Sequence, residues 1–161
     1  MQKAIFLDRD GVLNNEENNY YIYRPEDFFL NEGIIEAMKM LKSRGYIFIV
    51  ITNQGGISKS LYTHDDVKKI HEKLRRLLLE HDLHLTEIYY CPHHSDNEKC
   101  LCRKPETISI EKAIARFDID RNKSYFIGDR DTDMEAGKKA GLKNIRVQSN
   151  QDMSFLGKII K

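Results

Sequence analysis

Two carboxylates, Asp8 and Asp10, stand on either side of Arg9 where the apolar run Ile5-Phe6-Leu7 ends. In extended backbone, side chains two positions apart point to the same side. Like charges held that close are costly unless a divalent cation bridges them or one carries a proton. Gly11 lets the chain turn sharply just afterwards. A hard cation takes oxygen ligands and keeps positions for water and a substrate's phosphate oxygens. A carboxylate beside it can act as a nucleophile. The pair at 8 and 10 therefore points to phosphate chemistry at a strand end.

Other polar groups recur in the same setting. Thr52-Asn53-Gln54 follows a second apolar run, and Gly128-Asp129 follows a later one. Between them lie Cys91-x-His93 and, after six intervening residues, Cys100-x-Cys102, which use every cysteine of the chain. An odd number so crowded argues against a disulfide framework. Three thiolates and one imidazole form the closed tetrahedral set that Zn²⁺ takes in structural sites. Spacing alone leaves His93 and His94 as rival nitrogen ligands. Such a site carries about one net negative charge, which the neighbouring Lys99, Arg103 and Lys104 can offset.

These groups need elements to hold them. Apolar runs predict strands at residues 4–7, 46–51, 87–90, 125–127 and 144–147. Helical spacing predicts helices over 33–43, 65–80, 109–117 and 133–140, with Gly45 and Gly141 as stops and Thr63 or His64 as the second entry. Lys68, Lys69, Lys73, Arg75 and Arg76 read as the solvated face of the second helix. His64, His71, His81 and His84 lie scattered and read as structural. The tail after Ser149 either adds a helical turn or stays mobile.

Alternating strands and helices predict an α/β fold: an open, mainly parallel Rossmann-like sheet with helices on both faces, as one domain over residues 1–161. No stretch has room for a large cap domain. In such sheets ligands bind beyond the carboxyl ends of the strands. Asp8, Thr52, Cys91 and Asp129 each close a predicted strand, so the site is expected along that edge.

Composition narrows the partners. The 161 residues are 32% charged, yet the formal net charge is only +1. That gives no electrostatic case for nucleic acid or an anionic membrane. No apolar stretch reaches the ~18 residues of a membrane helix, and the N-terminus lacks a signal-peptide pattern. A cytoplasmic monomer is the default expectation.

Asp8-Arg9-Asp10-Gly11-Val12-Leu13-Asn14 resembles the first motif of haloacid dehalogenase superfamily phosphatases. Thr52-Asn53-Gln54-Gly55-Gly56-Ile57 is similar to the second motif of a narrower branch, the D,D-heptose 1,7-bisphosphate and histidinol-phosphate phosphatases. Cys91-Pro92-His93 through Cys102-Arg103-Lys104-Pro105, and Gly128-Asp129-Arg130-Asp131-Thr132-Asp133, complete the set. The likeness spans residues 3–147.

The resemblance implies a division of roles. Asp8 is the nucleophile, and Asp10 the general acid and base. Asp8, Asp129 and the backbone carbonyl of Asp10 hold catalytic Mg²⁺. Thr52 and Lys104 complete the catalytic set by holding phosphate, while Asn53, Gln54, Gly55, Arg103 and Arg130 bind substrate. Arg130 stands where the heptose branch often has Lys. Asp131 and Asp133 read as caps of the next helix, with Asp133 within reach as a supporting carboxylate. Cys91, His93, Cys100 and Cys102 are the structural Zn²⁺ ligands, His93 being favoured over His94. Residues 14–29 form a small flap, where Tyr20, Tyr21 and Tyr23 can close against a sugar.

The expected partner is a small phosphorylated sugar, foremost a heptose 1,7-bisphosphate losing its 7-phosphate. The second choice is histidinol phosphate, because the short spacing from His93 to Cys100 resembles that branch. A polynucleotide 3′-phosphatase would need a basic, aromatic-lined groove that the balanced charge does not support. A signalling receiver would place an aspartate after the third strand, where this chain has Cys91. A zinc-stabilised module without chemistry would not need the carboxylates.

Overall fold

The computed structural model describes all 161 residues. In chain order the elements are β1 (Lys3–Leu7), α1 (Ile34–Ser43), β2 (Tyr46–Asn53), α2 (His64–Leu79), β3 (Glu87–Cys91), α3 (Ile108–Phe117), β4 (Tyr125–Gly128), α4 (Asp131–Lys139), β5 (Lys143–Arg146) and α5 (Leu156–Ile159). The strands form one parallel sheet in the order β3-β2-β1-β4-β5. The expected α/β architecture is what forms, with boundaries shifted by one or two residues.

Strand alternation splits the apolar residues between two cores. Ile5 and Leu7 of β1 join Phe48 and Val50 of β2 beneath α1 and α2. Ala4 and Phe6 face the other way, with Ile49 and Ile51, against Ile110 and Ala113 of α3 and Ala136 of α4. β1 is covered on both faces, which explains its unbroken apolar run.

Local chemistry sets the helix ends. Thr63 caps α2 in a reciprocal box: its hydroxyl accepts from Asp66 N–H at 3.2 Å, and the Asp66 carboxylate accepts from Thr63 N–H at 2.9 Å. Gly45, at φ +83°, follows α1 in the left-handed region, as its sequence position predicts. The tail resolves as α5. Met153, Leu156 and Ile160 are buried, and Arg44 Nη1 donates to the Gly157 carbonyl at 2.6 Å. No helix is long and apolar enough to cross a membrane.

Candidate active site

β1 and β2 deliver their polar ends side by side, because Leu7 pairs with Val50 in register. β4 delivers Asp129 on the other flank, since Leu7 also pairs with Ile127. Gly11 makes this approach possible. At φ +83° it turns the chain, and a Cβ there would sit 2.6 Å from Asp129 Oδ2.

Three carboxylates meet at these tips. Asp8, Asp129 and Asp133 each present an oxygen, all within 4.8 Å of one another. Lys104 Nζ, only 3% exposed, lies 2.8 Å from Asp8 Oδ1 and 2.6 Å from Asp133 Oδ1, and donates to the Ile51 carbonyl at 2.8 Å. One ammonium cannot neutralise three buried carboxylates. Burial first, then repulsion from Asp133, pushes the Asp8 carboxyl well above the usual range against the opposing pull of Lys104. Burial and Asp133 likewise raise Asp129. Burial alone would lower Lys104, but Asp8 and Asp133 outweigh it and hold its ammonium above the ordinary value.

This donor set fits a divalent, oxygen-seeking cation. Asp129 Oδ1 is buried without a hydrogen-bond partner, and the Asp10 carbonyl accepts no backbone hydrogen bond. Mg²⁺ favours a few carboxylates beside water and phosphate oxygens. Asp133 does more than cap: its Oδ2 accepts from Arg130 N–H at 3.0 Å, so it anchors the start of α4 while its other oxygen meets Lys104. Asp131 is exposed and pairs with Arg146 at 2.6 Å, away from the cluster.

The thiol cluster forms next to this edge. Cys91 Sγ is 3.0 Å from Cys102 Sγ and 3.7 Å from Cys100 Sγ, and His93 Nδ1 is 3.2 Å from Cys102 Sγ. Ligands at ~2.3 Å around a tetrahedral ion sit about 3.8 Å apart, so the cluster is compatible with a zinc site. His94 lies outside it, its Nδ1 accepting from Asp96 N–H at 3.1 Å. The next residues turn back to the site. Arg103 Nη1 donates to the His93 carbonyl at 3.1 Å, and Lys104 enters the carboxylate cluster rather than offsetting the thiolates.

Comparison with known proteins agrees with this geometry. A family model described as HAD-hydrolase-like matches residues 101–154. A D-glycero-beta-D-manno-heptose-1,7-bisphosphate 7-phosphatase of Pasteurella multocida is 38% identical over 98% of this chain and 88% of its own length. A D-glycero-alpha-D-manno-heptose-1,7-bisphosphate 7-phosphatase of Campylobacter jejuni is 39% identical over 87% of this chain and 78% of its own. Among solved structures, a D,D-heptose 1,7-bisphosphate phosphatase from B. bronchiseptica, complexed with magnesium and phosphate, superposes with a TM-score of 0.85. It is 28% identical and covers 99% of this chain and 85% of its own. The chain belongs to the haloacid dehalogenase superfamily of phosphatases, in the heptose-1,7-bisphosphate phosphatase branch.

In this phosphatase the second motif is spent largely on internal support. Asn53 clasps the Lys104 backbone, accepting from its N–H at 2.9 Å and donating to its carbonyl at 3.2 Å. Gln54, only 2% exposed, donates to Asp10 Oδ2 and Thr52 Oγ1, each at 2.9 Å, and accepts from Tyr62 at 2.7 Å. Asn53 and Gln54 also line the cavity over the site. Thr52 is equally buried. Gly55 lines the cavity but is itself buried, and a Cβ there would meet Arg103 Nη1 and His94 Cδ2, each at 2.9 Å.

The mouth is a cavity of about 740 Å³ with Asp8 and Asp10 on its floor. Tyr20 and Tyr21 of the flap, His94, Lys99 and Arg103 of the cysteine-bearing loop, and Arg130 line it. Tyr23 instead stacks on Tyr62, with ring centroids 5.4 Å apart. Arg130 is held by the flap: Nη1 donates to Tyr20 at 3.1 Å and Nη2 to Glu16 at 3.3 Å.

Sequence reasoning missed three residues here. Arg9 is fully buried and grips Asp10, although an arginine is by default a surface residue. His71 lies against Arg9 Nη1 at 3.3 Å. Burial, then Arg9, pulls its imidazole down to about 3. Glu16 lines the mouth, raised by burial and then by the Asp10 charge. The DRDGV spacing placed Arg9 beside the site, but nothing in the sequence marked its burial.

Proposed function

We propose that this chain is a Mg²⁺-dependent phosphomonoesterase that removes the 7-phosphate of a D-glycero-D-manno-heptose 1,7-bisphosphate through an aspartyl-phosphate on Asp8. The observation that carries the reading is the meeting of Asp8, Asp129 and Asp133 at the strand tips, with the Lys104 ammonium bridging Asp8 and Asp133. The substrate rests on relatives of 38% and 39% identity that bear that name.

When bound by Asp8, Asp129 and the Asp10 carbonyl, Mg²⁺ supplies charge that neutralises phosphoryl oxygens. Lys104 adds a second positive point and steadies Asp8 for attack on phosphorus. Asp8 forms the new P–O bond while the ester P–O bond breaks, and Asp10 gives a proton to the departing alkoxide. Asp10 then takes a proton from water, whose oxygen displaces Asp8 from phosphorus. Gly55 and Thr52 offer backbone and hydroxyl donors to the transferred group. Arg103 and Arg130 at the mouth are suited to a second phosphate, since a guanidinium fork binds phosphate through two parallel hydrogen bonds.

Cys91, His93, Cys100 and Cys102 hold Zn²⁺ as a structural ion, because four protein ligands leave no open position. Its task is to brace the loop that presents Arg103 and Lys104.

The test is a panel of steady-state rates with both heptose bisphosphate anomers, histidinol phosphate and hexose phosphates, in magnesium and in EDTA. The highest kcat/KM is expected for a heptose bisphosphate, with one phosphate released per molecule and none in EDTA. Preference for histidinol phosphate would overturn the substrate. Inertness toward every ester would overturn the activity.

A further inference from the structure

Asp10 must aim a carboxylate at the leaving oxygen and later at water, yet its side chain has two free torsions. Its neighbours remove that freedom. Arg9 donates to Oδ1 from Nε at 3.2 Å and from Nη2 at 2.9 Å, and reaches Oδ2 from Nη2 at 3.1 Å. Asn14 Nδ2 adds 3.0 Å to Oδ1, and Gln54 Nε2 adds 2.9 Å to Oδ2. The fork itself is pinned from behind. Nη2 also donates to the Ile22 carbonyl at 3.0 Å, and Nη1 faces His71 Nε2 at 3.3 Å, which makes that nitrogen the acceptor.

We propose that Arg9 is the positioning residue for Asp10, fixing the carboxylate in the orientation from which it exchanges protons. Arg9 has 0% exposure, so it cannot itself touch substrate. Because Ile22 lies within the flap and His71 within α2, one guanidinium ties both elements to the proton-transfer group. A lysine could supply the charge but not the planar fork, which needs several donors fixed in one plane. The inference rests on the phosphatase reading and on the role given there to Asp10.

The test compares Arg9→Gln and Arg9→Lys with the wild type on two esters. One is an alkyl phosphate, whose alkoxide needs a proton to leave. The other is p-nitrophenyl phosphate, whose phenolate leaves without one. The alkyl ester should lose about 10²-fold or more in kcat, the worth of general acid catalysis, at nearly unchanged KM. The aryl ester should give a rapid burst of one equivalent of p-nitrophenol, then slow turnover, because release of Asp8 still needs Asp10 to take a proton from water.

Equal loss on both esters without a burst would overturn the proposal. Full alkyl turnover by Arg9→Lys would do so too, reducing Arg9 to charge compensation. Should Arg9→Gln fail to fold, Arg9→Lys keeps the buried charge and carries the test. A wild type inactive on both esters would sink the phosphatase reading, and this inference with it.

Discussion

Replacing Lys104 by methionine removes one buried ammonium and leaves the carboxylates it separates. Its contacts at 2.8 Å to Asp8 and 2.6 Å to Asp133 are each worth about 6 kcal/mol gross at an effective dielectric of ~20. Most of that offsets desolvation, so the net cost of stranding the carboxylates is about 3–5 kcal/mol. Chemical denaturation in EDTA at about pH 8 should register that loss. Two conditions should shrink it. Magnesium supplies positive charge to the same oxygens. Acidification lets Asp8, already raised by burial and Asp133 and now lacking the opposing Lys104, take a proton. Sign fixes the direction: a raised carboxyl binds protons in the folded state, so the variant regains stability as pH falls through the folded pKa. Turnover should drop by about 10²- to 10³-fold even in magnesium. Equal denaturation midpoints for variant and wild type in EDTA, or a loss indifferent to both pH and magnesium, would refute this account.

Other outcomes follow from the same site. Asp8→Asn should abolish turnover while leaving stability unchanged or higher, because its surroundings disfavour a charged carboxylate; calorimetry and a phosphate-release assay read the two together. His71→Gln should flatten the acid limb of the stability curve. The imidazole is held down to about 3, so the wild type loses stability as pH falls below 6.5, by about 2–3 kcal/mol between pH 7 and 4.5. A wild-type-minus-variant difference that stays constant over that range would exclude the assignment. Zinc removal, or Cys102→Ser, should lower the thermal midpoint and cut kcat by loosening Lys104, with elemental analysis giving one zinc per chain before treatment. A zinc-free protein with full kcat would contradict the bracing role.

What could be read in the sequence was what repeats a local rule. The Ile5-Phe6-Leu7 run, the Thr63 entry to α2 and the Gly45 stop are each decided within a few residues. The thiol cluster was legible because soft ligands so crowded have few other uses. Relations across the fold were not. Nothing near Asn53 says that its amide clasps Lys104, 51 positions away. His71 looked like an ordinary helical histidine, and only the packing of α2 against β1 sets it on Arg9. Asp133 was read chiefly as a cap, and it is one, yet its second oxygen joins Lys104, since α4 starts only two residues after Asp129. Polar side chains with two jobs defeat a reading that assigns one.

The placement of Asn53 and Gln54 has a wider meaning. Groups that would move a phosphoryl unit are wedged into the rigid sheet and into each other, whereas Tyr20, Tyr21, His94, Lys99 and Arg103 come from two peripheral loops. Reactivity and taste are thus written on separate side chains, although Lys104 shares a loop with Arg103. Tyr20, Tyr21, His94 and Lys99 can be exchanged, by drift or by design, to admit a different sugar, provided that Lys104 and the Ile22 carbonyl behind Arg9 keep their places.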